Sequence, residues 1–217
     1  MSEPPNTRPG GSDGPHAEID QALARLDYYA LDRSWRAPAP DSLARLQVEA
    51  ACTLATDYAA GFLSRYGPGG FGGGGFVDLP KACPIGARFN VDILYGVGSR
   101  DSWNPFYLAA ETYQSHLPAF YFPIATDPGG NLLVCACGSG AVFGWDHEHR
   151  ELRPADLDRI AAEAAAVGLD PSRYDLGQLI TFWETRNPTA IRNPTGHGNL
   201  YPVAGSFTEL LANTTRS

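Results

Sequence analysis

Long apolar runs are missing from this chain. Nothing in it approaches the stretch of about 18 apolar residues that a bilayer-crossing helix requires, so no segment reads as a membrane span. The opening, MSEPPNTRPGGSDGPH, is polar and rich in Pro and Gly and lacks the apolar centre of a secretory signal, so the expected location is the cytoplasm. Positive charge is scarce as well: 16 Lys+Arg stand against 24 Asp+Glu, the net charge is −8, and lysine occurs once, at Lys81. Holding nucleic acid takes clustered cations that displace counterions from phosphate, and no such cluster occurs. The same acidic balance repels membrane surfaces and attracts basic partners. Cysteine is sparse. Cys52, Cys83, Cys135 and Cys137, in a chain without a leader, read as reduced core thiols rather than a disulfide framework.

What is present suffices for one packed domain. Hydrophobic residues make up 43% of the 217 and charged residues 18%, which excludes disorder of the whole chain. Residues 1–16 read as a disordered tail and 17–213 as a single domain. Ile19, Leu23 and Leu26 lie at helical spacing and predict a helix over 17–33. After the break at 37–41 a second helical region spans about 42–66, as one helix or as two, with Thr56 or Asp57 able to cap the second. The glycines of 67–76 end it, because ordering so many of them costs too much backbone entropy for a helix. Strands are predicted at 76–79, 88–95, 120–126, 132–137 and 141–145, with the turns DPGGN (127–131) and GSG (138–140) closing hairpins. The strands at 132–137 and 141–145 are apolar on both faces and belong near the sheet centre. A helix over about 105–116 has Asn104 as its cap and Pro105 in its first position. Residues 151–200 read as a helical insertion, with one helix over 154–167 and a more apolar one over 175–186. Last, Ser206-Phe-Thr-Glu209 is a capping box that opens a terminal helix.

Each candidate for chemistry has a plainer reading. Gly70, Gly72 and Gly75 satisfy G-x-G-x-x-G, but a helix precedes them and a strand follows, the reverse of a dinucleotide site, so no cofactor is expected. Cys135-x-Cys137 and His147-x-His149 are a weak candidate for a metal, since residues two apart on a strand share a face. Structural zinc sites use cysteines more widely spaced, and buried thiols explain the pair as well. Asp146-His147-Glu148-His149 groups acids and imidazoles without an adjacent nucleophile, and Ser139 lacks the strand–turn–helix setting of a hydrolase elbow. No catalytic residue is expected. More telling is the charge of 146–175, where eight acids meet four arginines. A solvated face explains such a run, and so does an electrostatic guide for a basic protein partner.

Several segments taken in order resemble a known family. Leu54-Ala-Thr-Asp-Tyr58, then Phe62-Leu63 and Tyr66-Gly67, are similar to the opening of the SUKH superfamily, the Smi/Knr-type domain, with Ala55 where proline is usual. The resemblance continues through Phe122-Pro-Ile-Ala-Thr-Asp127, Gly129-Gly-Asn131, Val142-Phe-Gly-Trp-Asp-His-Glu148 and Val203-Ala-Gly-Ser-Phe207, covering 41–148 and 201–213. It implies an α+β domain with a twisted, mainly antiparallel sheet flanked by helices. In bacteria it implies a non-catalytic immunity protein that binds and neutralises a toxin, often a nuclease. The alternatives are an interaction hub of the same family and a metal- or small-ligand-binding protein. Under the immunity reading, Trp145, Asp146, His147, Glu148, Glu151 and Asp156 are the expected contacts with a basic toxin. Structural roles are expected for Tyr58, Phe62, Asp127, Gly130, Asn131, Ser206, Phe207 and Glu209.

Overall fold

The structure, a computed structural model, describes residues 15–81, 83, 85–97, 104–108, 113, 117, 120–147, 154–174 and 199–217. Within them the elements run α1 (Pro15–Arg25), β1 (Tyr28–Ala30), α2 (Pro40–Glu49), a π-helix (Asp57–Leu63), β2 (Gly69–Phe71), β3 (Gly75–Asp78), β4 (Arg88–Val91) and β5 (Ile93–Leu94). Then follow α3 (Pro105–Tyr107), β6 (Tyr121–Thr126), β7 (Leu132–Ala136), β8 (Val142–Trp145), α4 (Pro154–Ala166), β9 (Leu200–Ala204), α5 (Phe207–Asn213) and β10 (Thr215–Arg216). Among the described residues the fold is α+β, as expected. A seven-stranded antiparallel sheet has the order β1-β2-β5-β6-β7-β8-β9, and a smaller sheet has the order β10-β3-β4. No described helix is long and apolar enough to cross a membrane.

β7 shows why the sheet has two cores. Leu133 and Cys135 point into the main cluster, with Tyr58, Phe62 and Phe207, while Leu132 and Val134 point into a second one, with Tyr95, Leu108, Trp145 and Leu200. Alternation along a pleated strand sends successive side chains to opposite faces, and here both faces are covered. That is the interior position expected from the apolar pattern of 132–137 and 141–145.

The first helix is shorter than the sequence predicts. It ends at Arg25, and the chain turns at Asp27, whose φ is 55°, into β1. β1 pairs with β2, inside the glycine run that reads as a loop from sequence. The missing side chains are what permit this pairing. A Cβ at Gly69 would lie 2.4 Å from the Tyr29 carbonyl oxygen and 2.5 Å from the Tyr28 ring. The Tyr28 hydroxyl then donates to the Gly67 carbonyl. Glycine here buys close approach of two backbones. Of the expected tail, Pro15 and His16 already belong to α1, and residues 1–14 lie outside the described residues.

The region 42–66 contains two helices, separated after Glu49. α2 closes with the N–H of Cys52 donating to the Gln47 carbonyl and that of Ala51 to the Val48 carbonyl, with Ala51 left-handed at φ 49°. α4 closes in the same way around Gly168 (φ 85°), where Leu169 donates to Ala164 and Gly168 to Ala165. This double-bonded ending normally takes glycine at its left-handed position; α2 makes it with alanine. Within α4, Ile160 and Ala164 are buried one turn apart. The helix expected over 175–186 lies outside the described residues.

One expectation about cysteine is corrected. Cys52 and Cys137 form a disulfide with their Cα atoms 5.5 Å apart, while Cys83 and Cys135 are free and buried. The α2 ending delivers Cys52, and the end of β7 delivers Cys137, to the same place across a sequence separation of 85. Closing a loop of that length restricts the unfolded chain by about 4.5 kcal/mol.

Candidate functional site

The turn between β6 and β7 and the exit of β8 are knitted together. Gly130 takes φ 90°, which glycine adopts without steric cost. Asp127 accepts from the Asn131 backbone N–H through Oδ1 (2.8 Å) and from Asn131 Nδ2 through Oδ2 (2.9 Å). With its Nδ2 committed to that carboxylate, Asn131 turns Oδ1 toward His147, 3.3 Å from the backbone N and 2.9 Å from Nδ1. The network therefore makes His147 Nδ1 the donor to Asn131 Oδ1. Asp127, Gly130 and Asn131 thus form the turn.

The expected partner contacts do not share one surface. Trp145 is 2% exposed and packs edge-on against Tyr113, and Asp146 is 3% exposed. Asp146 donates its N–H to the Asn199 carbonyl and accepts from Asn199 Nδ2 at its own carbonyl. Neither residue offers area to a partner, which corrects their assignment as contacts. β9 covers that end of β8, Trp145 lying opposite Leu200, so a run of acids in the sequence does not stay on one face. His147 is half-buried against Asn131. Glu148, Glu151 and the Asp156 side chain lie outside the described residues. Of the remaining acids in the segment, Glu163 and Asp170 are exposed.

The metal candidate also separates. Cys137 is bonded to Cys52, the Cys135 side chain is 0% exposed, and His147 sits beside Asn131 at the opposite end of β7. Asn131 and Cys137 are six residue steps apart along extended chain, about 20 Å. His149 is outside the described residues, and among those described no group of three or more His, Cys, Asp or Glu could hold a metal. Burial, with a smaller contribution from the Asp57 charge, pushes the Cys135 thiol up to about 12, so this sulfur is held neutral.

The structural residues converge on α5. Phe207 lies 4.9 Å from the Tyr58 ring and 5.1 Å from that of Phe62, all three fully buried. Ser206 Oγ accepts from the Glu209 N–H at 3.0 Å, as a cap should. Glu209 answers with Oε2 on the Gly205 N–H at 2.7 Å, one residue earlier than a capping box would place it. Two residues of this joint have little signal in the sequence. Asp57 reaches from the π-helix to accept from Thr208, and Arg25 of α1 donates to the carbonyls of Leu211, Ala212 and Thr214 at the far end of α5. Three buried polar atoms, Tyr58 Oη, Trp145 Nε1 and Asn199 Oδ1, have no hydrogen-bond partner among the described residues.

Comparison with family models, with curated proteins and with solved structures finds no match to this chain.

Proposed function

We propose that this chain is a non-catalytic immunity protein of the SUKH type, which binds a basic protein toxin in the cytoplasm and neutralises it by covering its working surface. One observation carries the reading. The residues that bear the family resemblance, scattered from Tyr58 to Glu209, meet in one scaffold: Tyr58 and Phe62 against Phe207, Ser206 and Glu209 at the start of α5, and Asp127–Asn131 against the exit of β8. A scaffold built this way leaves recognition to the surface, and the chain is acidic, with a net charge of −8. A nuclease toxin must carry cations to hold phosphate, so carboxylates compete for its substrate face and speed capture. Because Trp145 and Asp146 are buried, the contact is assigned to the acids beyond them, Glu148, Glu151 and Asp156.

Coexpression of the full chain with the product of the neighbouring gene tests the proposal. Growth should be restored and the two proteins should copurify. Glu148→Lys, Glu151→Lys and Asp156→Lys together should weaken the complex most at low salt, with Asp146 left native because a cation would be buried there. Continued growth arrest with the folded chain present refutes the immunity reading. Unchanged affinity at both low and high salt refutes the acidic contact alone.

A further inference from the structure

The Cys52–Cys137 bridge joins places where the backbone is held in an uncommon conformation. Phe120, immediately before β6, has φ 69° although it is a large residue, and its side chain is 71% exposed. Left-handed backbone is sterically penalised for any residue with a Cβ, and a bulky side chain in it is a real outlier. Packing does not offset that penalty here, because the ring lies mostly in solvent. Among the described residues, the Phe120 carbonyl accepts from the Cys137 N–H at 2.8 Å. The next residue, Gly138, donates to the Thr53 carbonyl at 2.7 Å. Both bonds lie outside the β6–β7 ladder, whose pairing stops at Tyr121 opposite Ala136, and both flank the bridge. The bridge is also asymmetric: Cys52 is 4% exposed, whereas Cys137 is only partly buried.

We infer that the Cys52–Cys137 disulfide is a redox latch, opened by a dithiol reductant, that holds the left-handed Phe120 backbone against Cys137 at the end of β7. A reductant thiolate attacks the accessible Cys137 Sγ, the S–S bond breaks, and the Cys52 thiolate leaves and takes a proton. The reductant's second thiol then attacks the mixed disulfide and releases Cys137 as a thiol. Two electrons and two protons have passed to the protein, and the reductant has become a disulfide. Freed of the bridge, Phe120 relaxes toward ordinary backbone and the bonds from Cys137 and Gly138 loosen. The ladder over Tyr121–Thr126 and Leu132–Ala136 persists, because both its faces remain covered.

The test uses the full chain with and without dithiothreitol. Thiol counting in denaturant should give two groups before treatment, Cys83 and Cys135, and four after it. Under native conditions chymotrypsin should cleave after Phe120 about tenfold faster once the bridge is reduced, the factor that relief of one left-handed residue corresponds to. C52S/C137S should show the fast cleavage without reductant and no response to it. Four thiols before treatment would overturn the inference. So would an unchanged rate at Phe120, and so would loss of the folded near-ultraviolet circular dichroism on reduction, which would make the bridge a global staple.

Discussion

Asp57 stands at the joint between two segments 151 residues apart, and its removal measures how much that joint contributes. Its carboxylate accepts from the Tyr58 N–H at 2.9 Å through Oδ1, and from the Thr208 N–H at 2.9 Å and the Thr208 hydroxyl at 3.2 Å through Oδ2. The Thr208 N–H is one of the donors at the start of α5 that have no intrahelical acceptor, and α5 is only seven residues long. Bonds to a charged acceptor contribute about 1.5–3 kcal/mol each when shielded, and less where water can replace the oxygen. Asp57 is half-buried, so Asp57→Ala should cost about 2–4 kcal/mol in all. Asp57→Asn keeps the shape and one acceptor oxygen but turns an amide donor toward a donor, so it should fall between wild type and alanine. Urea unfolding reads both, and the slope should stay constant while the midpoint moves. Asp57 and Ser206 serve the same helix end, so the double variant should depart from additivity by more than about 0.5 kcal/mol. An alanine variant within about 0.5 kcal/mol of wild type would refute the reasoning, because an unsatisfied N–H at that position would then carry no penalty.

Three further outcomes are expected. Ser206→Ala should lower stability by roughly 1 kcal/mol in the same titration, and no change would show that its bond to the Glu209 N–H is not formed in solution. Ala51→Gly should raise stability by about 0.5–1 kcal/mol, since α2 would then end as α4 ends, with glycine in the left-handed position; a loss would mean that the φ of 49° is not populated. Alkaline pH should destabilise the fold: Tyr66, pushed up to about 12 by burial and then by its bond to Asp20, and Tyr201, pushed up to about 12 by burial, keep their protons where an unfolded tyrosine loses its own near 10.0. Their contribution is complete below that value and disappears as pH rises through the folded one, so the urea midpoint should fall over this interval. Tyr66→Phe should make the fall shallower, and an unchanged slope would refute its share.

Which features were legible in the sequence follows from the range of the interactions that make them. Asn104, Ser206 and the DPGGN turn act within four residues, and a local pattern contains all that they need. The apolar strands 132–137 and 141–145 were legible because burial on both faces leaves no polar position to hide the register. β1 was not, because Tyr28, Tyr29 and Ala30 suit the end of a helix as well as a strand until Gly69 and Gly70 are brought beside them. β2 was hidden for the complementary reason: its glycines give no strand signal, and their purpose is the space that Tyr28 and Tyr29 occupy.

The candidate site divides along the same line. Counting eight acids between 146 and 175 treats each as equally exposed, yet burial belongs to the register of β8 against β9, and Asn199 takes Asp146 out of solvent from 53 residues away. Spacing likewise offered Cys135 and Cys137 as a pair on one strand face. Both do lie against the same core cluster, but Cys137, just past the end of the β6–β7 ladder, is bonded to Cys52, and Cys135 stays a free, buried thiol. In both places a single residue at the end of a strand changed the chemistry of its neighbour.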